Sequence, residues 1–254
     1  MKVNTDTIGS IRIVEIDRPE VRNAVDAETA SLLHGAFVEF DEDESVDVAV
    51  LAGAGGNFCS GADLDVLPYE VNRRVQVDGP SPLGPSRLSL SKPVIAAVEG
   101  FAVAGGLELA VWCDLRVAAE SAVFGVFCRR FGVPLIDGGT VRLPRLIGQS
   151  RALEMILTGR GVGAREAEEM GLANRVVADG QARRVAIDLA TEIASHPPIC
   201  MRNDRASALA QWALSEETAM AHELELGLQT IGSGEPVVGA ERFRAGAGRH
   251  GEPV

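Results

Sequence analysis

One carboxylate stands inside a run that is otherwise apolar or glycine: Gly100, Phe101, Ala102, Val103, Ala104, Gly105, Gly106, Leu107, Glu108, Leu109, Ala110. Paired glycines at a strand-to-helix turn let a ligand approach the backbone, because no Cβ intervenes. The unpaired N–H groups that open the following helix then stand ready for a developing negative charge. Glu108 lies one helical turn beyond Gly105, so its carboxylate projects on the same side as that N–H. An amide that stabilises an oxyanion, beside an acid/base carboxylate, suits proton chemistry next to a carbonyl. The plainer reading is a buried helix whose glycines serve close packing. A Glu in an apolar run argues for the functional one, since a buried carboxylate is rare unless paired or working.

These residues need elements to hold them. Residues 93–98 form an apolar strand ahead of the turn, and residues 11–17 alternate as a strand. Residues 27–43 carry apolar side chains at helical spacing (Leu32, Leu33, Ala36, Phe37, Phe40), and residues 46–51 read as a short buried strand before a glycine-rich turn, 53–56. A second strand-to-helix turn follows at Asn57, Phe58, Cys59, Ser60, Gly61, Ala62, Asp63 and Leu64. Residues 68–87 are rich in Pro, Gly and polar types and read as a mobile loop. Short strands are expected at 115–118 and 122–124, and consecutive helices at 138–147 and 150–157. The remainder is mainly helical, broken at His196, Pro197 and Pro198. Strands alternating with helices give an α/β class, with a core over residues 1–196 and a helical region over 197–254.

Composition narrows the function. The 254 residues carry a net charge of −12, which argues against nucleic-acid binding and gives no attraction to an acidic membrane. Any phosphate contact must then come from local Arg or Lys residues. Cys59, Cys113, Cys128 and Cys200 lack metal-type spacing and read as free thiols of a reducing compartment. The first residues show no signal-peptide apolar stretch, so a soluble cytoplasmic protein is expected, with no metal or redox cofactor. Residues 246–251 match GxGxxG without a preceding strand and read as a tail. There is no GxSxG elbow, and His34, His196, His222 and His250 read as surface residues.

The two glycine turns, separated by the strand after Lys92, form a constellation that resembles the crotonase family, the enoyl-CoA hydratase/isomerase superfamily. Matching pieces include Arg22-Asn23-Ala24, residues 58–64, 92–100 and 104–110, Phe124-Gly125, Gly138-Gly139-Thr140 with Arg142-Leu143, and Gly171-Leu172-Ala173. In order they cover roughly residues 10–180. The resemblance implies a spiral of ββα units with a C-terminal helical region used to assemble homotrimers, commonly paired into hexamers. It implies an acyl-CoA thioester as substrate. Its oxygen would be held by the backbone N–H groups of Ala62 and Gly105 as an enolate forms. It also places CoA near Arg22, Ala24, Ser60, Ala62, Asp63 and Leu64, with Arg22, Arg242 and Arg244 as candidate phosphate partners.

The chain departs from the pattern at one point. Hydratases of this family use two glutamates; the first matches Glu108, and Cys128 stands where the second belongs. A thiol is less acidic than a carboxylic acid and a weak hydrogen-bond donor. Asp137, one residue from a position where some isomerases of the family carry a catalytic aspartate, is a candidate substitute; its alternative role is a helix N-cap. Hydration of a 2-enoyl-CoA is placed first, because Glu108 is in the hydratase position. Isomerisation through Glu108 and/or Asp137 comes second, since it needs a single base. A catalytically degenerate CoA-ester-binding protein and a thioester hydrolase also remain open. Phe131, Leu135 and Ile136 are read as core residues that could alternatively line an acyl pocket.

Overall fold

The computed structural model describes residues 1–66, 69 and 75–248. It opens with a hairpin, β1 (Val3–Ile8) and β2 (Ile11–Ile16), paired antiparallel. Helix α1 (Ala27–Glu42) begins at Asp26, whose carboxylate accepts the Thr29 N–H, and leads to β3 (Val48–Gly53). Strands β4 (Val94–Val98) and β5 (Phe101–Val103) run into α2 (Gly105–Trp112). Then come β6 (Leu115–Ala119), β7 (Val123–Gly125), a 3-10 turn (Phe127–Phe131), α3 (Gly139–Ile147) and α4 (Gln149–Thr158). The core closes with β8 (Gly161–Gly163), α5 (Ala164–Glu169), β9 (Arg175–Val177) and α6 (Ala182–Ala194). Helices α7 (Pro198–Ala210), α8 (Glu216–Gly232) and α9 (Glu235–Arg244) complete the described chain.

The strands form two sheets among the described residues, one of six strands in the order β1-β2-β3-β4-β6-β9 and one of three, β5-β7-β8. From β2 to β9 the larger sheet is parallel. A parallel sheet covered on both faces requires apolar strands throughout, and β3 and β4 are of that kind. Their side chains divide by alternation. Val48, Val50, Ala52, Ile95 and Ala97 pack against Ala182, Ala186, Leu189 and Ala190 of α6. Ala49, Leu51, Val94, Ala96 and Val98 turn to the other face, where α1 and α2 supply Leu33, Phe37, Phe40, Leu107 and Leu109.

The structure adds strands the sequence does not announce. β1 is mostly exposed and polar (VNTDTI), an edge strand defined by its hairpin partner rather than by hydrophobic alternation. β5, β8 and β9 have three residues each, too few to show a period of two. β5 occupies part of the stretch read as a turn, so the chain passes from strand to helix through Ala104 alone. The expected mobile loop divides: of its residues, 68 and 70–74 lie outside the described residues, while Ser81, Pro82, Leu83, Gly84, Pro85 and Ser86 are buried. The GxGxxG tail lies partly outside the described residues, as does His250.

Candidate active site

The two glycine turns meet. Cys59 bridges Ala102 of β5 in parallel, with Cys59 N–H to Phe101 O at 2.9 Å and Val103 N–H to Cys59 O at 3.1 Å. Gly61 (φ 95) presses against the start of α2, where a Cβ would lie 2.7 Å from Gly105 N and 2.9 Å from the Ala104 Cβ. Only glycine fits there, both for space and for a left-handed backbone. Behind it, a Cβ on Gly106 would run into the Cys59 carbonyl.

Two backbone N–H groups are left over. Val25 takes the groups on either side of Ala62: its N–H donates to Gly61 O at 2.8 Å and its carbonyl accepts Asp63 N–H at 3.0 Å. In such strand-like pairing the intervening N–H points the opposite way, here toward a cavity that Ala62 lines. Gly105 is the first residue of α2, so its N–H has no partner within the helix. Neither N–H is bonded among the described residues. Ala104, at φ 54 and ψ −124, holds a left-handed conformation that costs a residue with a Cβ of order 1 kcal/mol or more. The ψ of Ala104 fixes the plane of the following peptide and hence the direction of the Gly105 N–H.

Glu108 faces the same cavity with 2 % of its surface exposed. Its Oε1 accepts the N–H groups of Asp137 and Gly139, each at 2.9 Å. Burial pushes its pKa up to about 7, with the Asp137 charge adding to the rise. The backbone donors at Gly139 and Asp137 and the Arg142 cation oppose it. Gly139 is needed for the close approach, because a Cβ there would lie 2.9 Å from the Glu108 Cγ. The cavity is about 440 Å³ and largely apolar, with Leu83, Phe127, Phe131, Val133 and Ile136 among its walls. Phe131 is 68 % exposed and Ile136 38 %; both line the cavity rather than the core, whereas Leu135 packs against the core.

Asp137 is buried beside Glu108, but it is not the N-cap of α3; that position is Gly138. Its Oδ1 accepts the Ser86 hydroxyl at 2.7 Å and the Leu83 N–H at 3.1 Å, so the carboxylate clasps the buried 81–86 segment. Cys128 lines the cavity, and burial followed by the charge of Glu108 pushes its thiol up. It stays neutral at ordinary pH and offers only a weak S–H.

The remaining expected residues divide. Ser60, Ala62 and Leu64 line the cavity. Arg22 is exposed at a left-handed turn, its guanidinium 5.5 Å from the Phe101 ring centre. The Ala24 carbonyl accepts Arg18 Nη1, and Asp63 pairs with Arg18 at 3.0 Å, so both belong to a latch beneath the turn. Arg242 and Arg244 lie in the last turn of α9. Sequence reasoning did not single out Leu83, Ser86 or Arg142 as site residues; Arg142 Nη1 donates to Asp137 O at 3.0 Å and Nη2 to Ser86 O at 2.8 Å. The visible signal was an arginine within one turn of the Gly138-Gly139 bend.

A family model described as enoyl-CoA hydratase/isomerase matches residues 6–244. The chain belongs to the enoyl-CoA hydratase/isomerase family. It is 36 % identical over 242 residues to enoyl-CoA hydratase EchA19 of Mycobacterium tuberculosis, covering 92 % of this chain and 90 % of that protein. It is 34 % identical over 222 residues to a short-chain-enoyl-CoA hydratase of Clostridium acetobutylicum, covering 85 % and 84 %. The crystal structure of enoyl-CoA hydratase EchA1 from Mycobacterium marinum superposes with a TM-score of 0.91 at 34 % identity, over 96 % of each chain. The fold is therefore the crotonase α/β fold, two sheets followed by C-terminal helices, and the enoyl-CoA hydratase/isomerase family implies an acyl-CoA substrate. Among the described residues no cluster of His, Cys, Asp or Glu is arranged to hold a metal ion, and no helix is long and apolar enough to cross a membrane.

Proposed function

We propose that this protein is an enoyl-CoA hydratase in which Glu108 handles both protons of the reaction. The carrying observation is a buried carboxylate with a pKa of about 7, set in an apolar cavity that two unpaired backbone N–H groups also face. The thioester oxygen of a 2-enoyl-CoA accepts the N–H groups of Ala62 and Gly105. Ionised Glu108 takes a proton from water as the water oxygen bonds to C3, and the C2=C3 electrons move toward the thioester. The resulting enolate is held by the two donors, whose value is greatest in a dry site. Protonated Glu108 then delivers its proton to C2, completing the addition of one water. A pKa near neutrality suits a group that must act as base and then as acid.

Asp137 serves in this reading as a clasp that keeps the 81–86 segment and the Glu108 cradle together. The cavity-lining Ser60, Ala62 and Leu64, with Arg22 nearby, form the approach for CoA. Met220, Leu224, Leu228 and Ile231 are each more than half exposed on α8, at spacings that place them on one face. That stripe supports assembly of homotrimers or hexamers through the region 197–254.

One observation favours a second reading. Cys128 stands where the resemblance puts a second carboxylate, and its neutral thiol cannot stand in for one. An isomerase needs only one base: Glu108 would remove a C2 proton from a 3-enoyl-CoA and return it to C4. Incubation with panels of 2-enoyl- and 3-enoyl-CoAs, with Glu108→Gln in parallel, separates the readings by product mass. Gain of one water that is lost in the variant supports the hydratase. Double-bond migration at constant mass supports the isomerase. Free CoA, or full turnover by the variant, contradicts both.

A further inference from the structure

Arg142 is a half-buried cation that forms no ion pair with a carboxylate among the described residues. Burying a guanidinium is costly unless its charge and donors are used. Its donors go instead to two carbonyls, Asp137 O at 3.0 Å and Ser86 O at 2.8 Å. Those residues are themselves joined by the Ser86 hydroxyl on the Asp137 carboxylate. The fork therefore spans the two segments that meet beside Glu108. One of them, at Asp137 and Gly139, supplies both N–H groups that hold Glu108 Oε1. The guanidinium plane is suited to bridging two acceptors at fixed spacing, which an ammonium is not.

We infer that Arg142 is a positioning residue for the proton-transfer centre: it locks the 137–139 backbone in the geometry that orients Glu108 and supplies a positive charge to the ionised form of that carboxylate. The inference rests on the reading of Glu108 as the proton carrier. The groups facing Glu108 are Asp137, Arg142 and, from the 3-10 turn, Cys128. Arg142 in turn faces Glu108, Cys113, Asp137 and Arg145. Removing Arg142 therefore takes the cationic counterweight from Asp137, which opposes ionisation of Glu108, and leaves only the backbone donors of Gly139 and Asp137 to favour the charge. The other side of Arg142 lines a second cavity of about 370 Å³, shared with Arg145, Arg205, Trp112 and Trp212.

The test separates geometry from charge. Arg142→Lys keeps the charge but loses the fork, and Arg142→Gln loses the charge. Each is assayed for kcat and KM on a 2-enoyl-CoA, and Glu108 is titrated directly by the carboxyl signal of carbon-13-labelled glutamate, assigned with Glu108→Gln. Both variants are expected to lose kcat by roughly tenfold to a hundredfold, the scale of a slightly misplaced catalytic group, with KM nearly unchanged. The Glu108 titration moves upward in Arg142→Gln and stays near the wild-type position in Arg142→Lys. Millimolar guanidinium, entering through the second cavity, restores part of the kcat of Arg142→Ala, which a loss of folding would not allow. Arg145→Gln, one turn along α3, leaves the titration in place. Wild-type kcat in Arg142→Gln, or a Glu108 titration that does not move in it, overturns the inference. Failure of wild-type protein on every enoyl-CoA would instead strike the hydratase reading, while the titration would still decide the role of Arg142.

Discussion

At the scale of single residues, the proposed role of Glu108 depends on surroundings that are hostile to its charge. Burial raises its pKa from 4.5 to about 7, so folded protein holds a proton in a range where the unfolded chain has released it. Stability from this group is fully present below the unfolded value near 4.5 and is lost as pH rises through about 7. Glu108→Gln is therefore expected to be inactive yet more stable than wild type at pH 8, by roughly 3 kcal/mol at most. Denaturant titrations at pH 5 and pH 8 check this; a stability difference independent of pH would contradict it. The wild-type rate of the base-dependent step should rise with pH through about 7, as Glu108 ionises. Gly61 offers a second handle. A methyl group there meets Gly105 N at 2.7 Å, so Gly61→Ala should lower kcat/KM by roughly a hundredfold or more by displacing the proposed oxyanion donor. Circular dichroism should report a folded protein; unchanged kcat/KM would remove the first turn from the account.

At the scale of elements, the site is the meeting of four pieces: the Gly61 turn, the start of α2, the buried 81–86 segment and the entry to α3. Asp137 ties the last two, and Asp137→Asn keeps the shape while weakening the carboxylate's hold on Ser86 and Leu83. A clasp predicts a moderate loss of activity, with the thermal midpoint lowered by a few degrees, the effect expected of ~1 kcal/mol lost from a buried hydrogen-bonded group. Abolished turnover at unchanged stability would make Asp137 a catalytic residue instead. Much of this arrangement was legible in the chain. Gly61, Gly105 and Glu108 are anomalies of type and spacing, and β3, β4 and α1 carry strong apolar patterns. What stayed hidden depends on tertiary partners. The 81–86 segment has the Pro, Gly and Ser composition of a surface loop but is buried by α1 and Asp137. The strands β5, β8 and β9 are too short to carry a pattern. The Arg142 fork ends on backbone carbonyls, which have no sequence signature.

At the scale of the whole molecule, the C-terminal helices leave an apolar stripe on α8 that the described chain does not cover. A protein of net charge −12 repels its own copies at long range, so the proposed assembly has to draw on that stripe and on local charge pairing. Leu224→Glu with Leu228→Glu should reduce the particle mass seen by light scattering, and an unaltered mass would place the contact elsewhere. Water addition through Glu108 leaves its record in the product, which is read by mass analysis after reaction in deuterium oxide. Incubated with a short 2-enoyl-CoA, the wild-type protein is predicted to yield a 3-hydroxyacyl-CoA with one deuterium at C2, and Glu108→Gln to yield none. The same deuterated product from Glu108→Gln, or a wild-type product without a C3 hydroxyl, would contradict the assignment of water addition to Glu108.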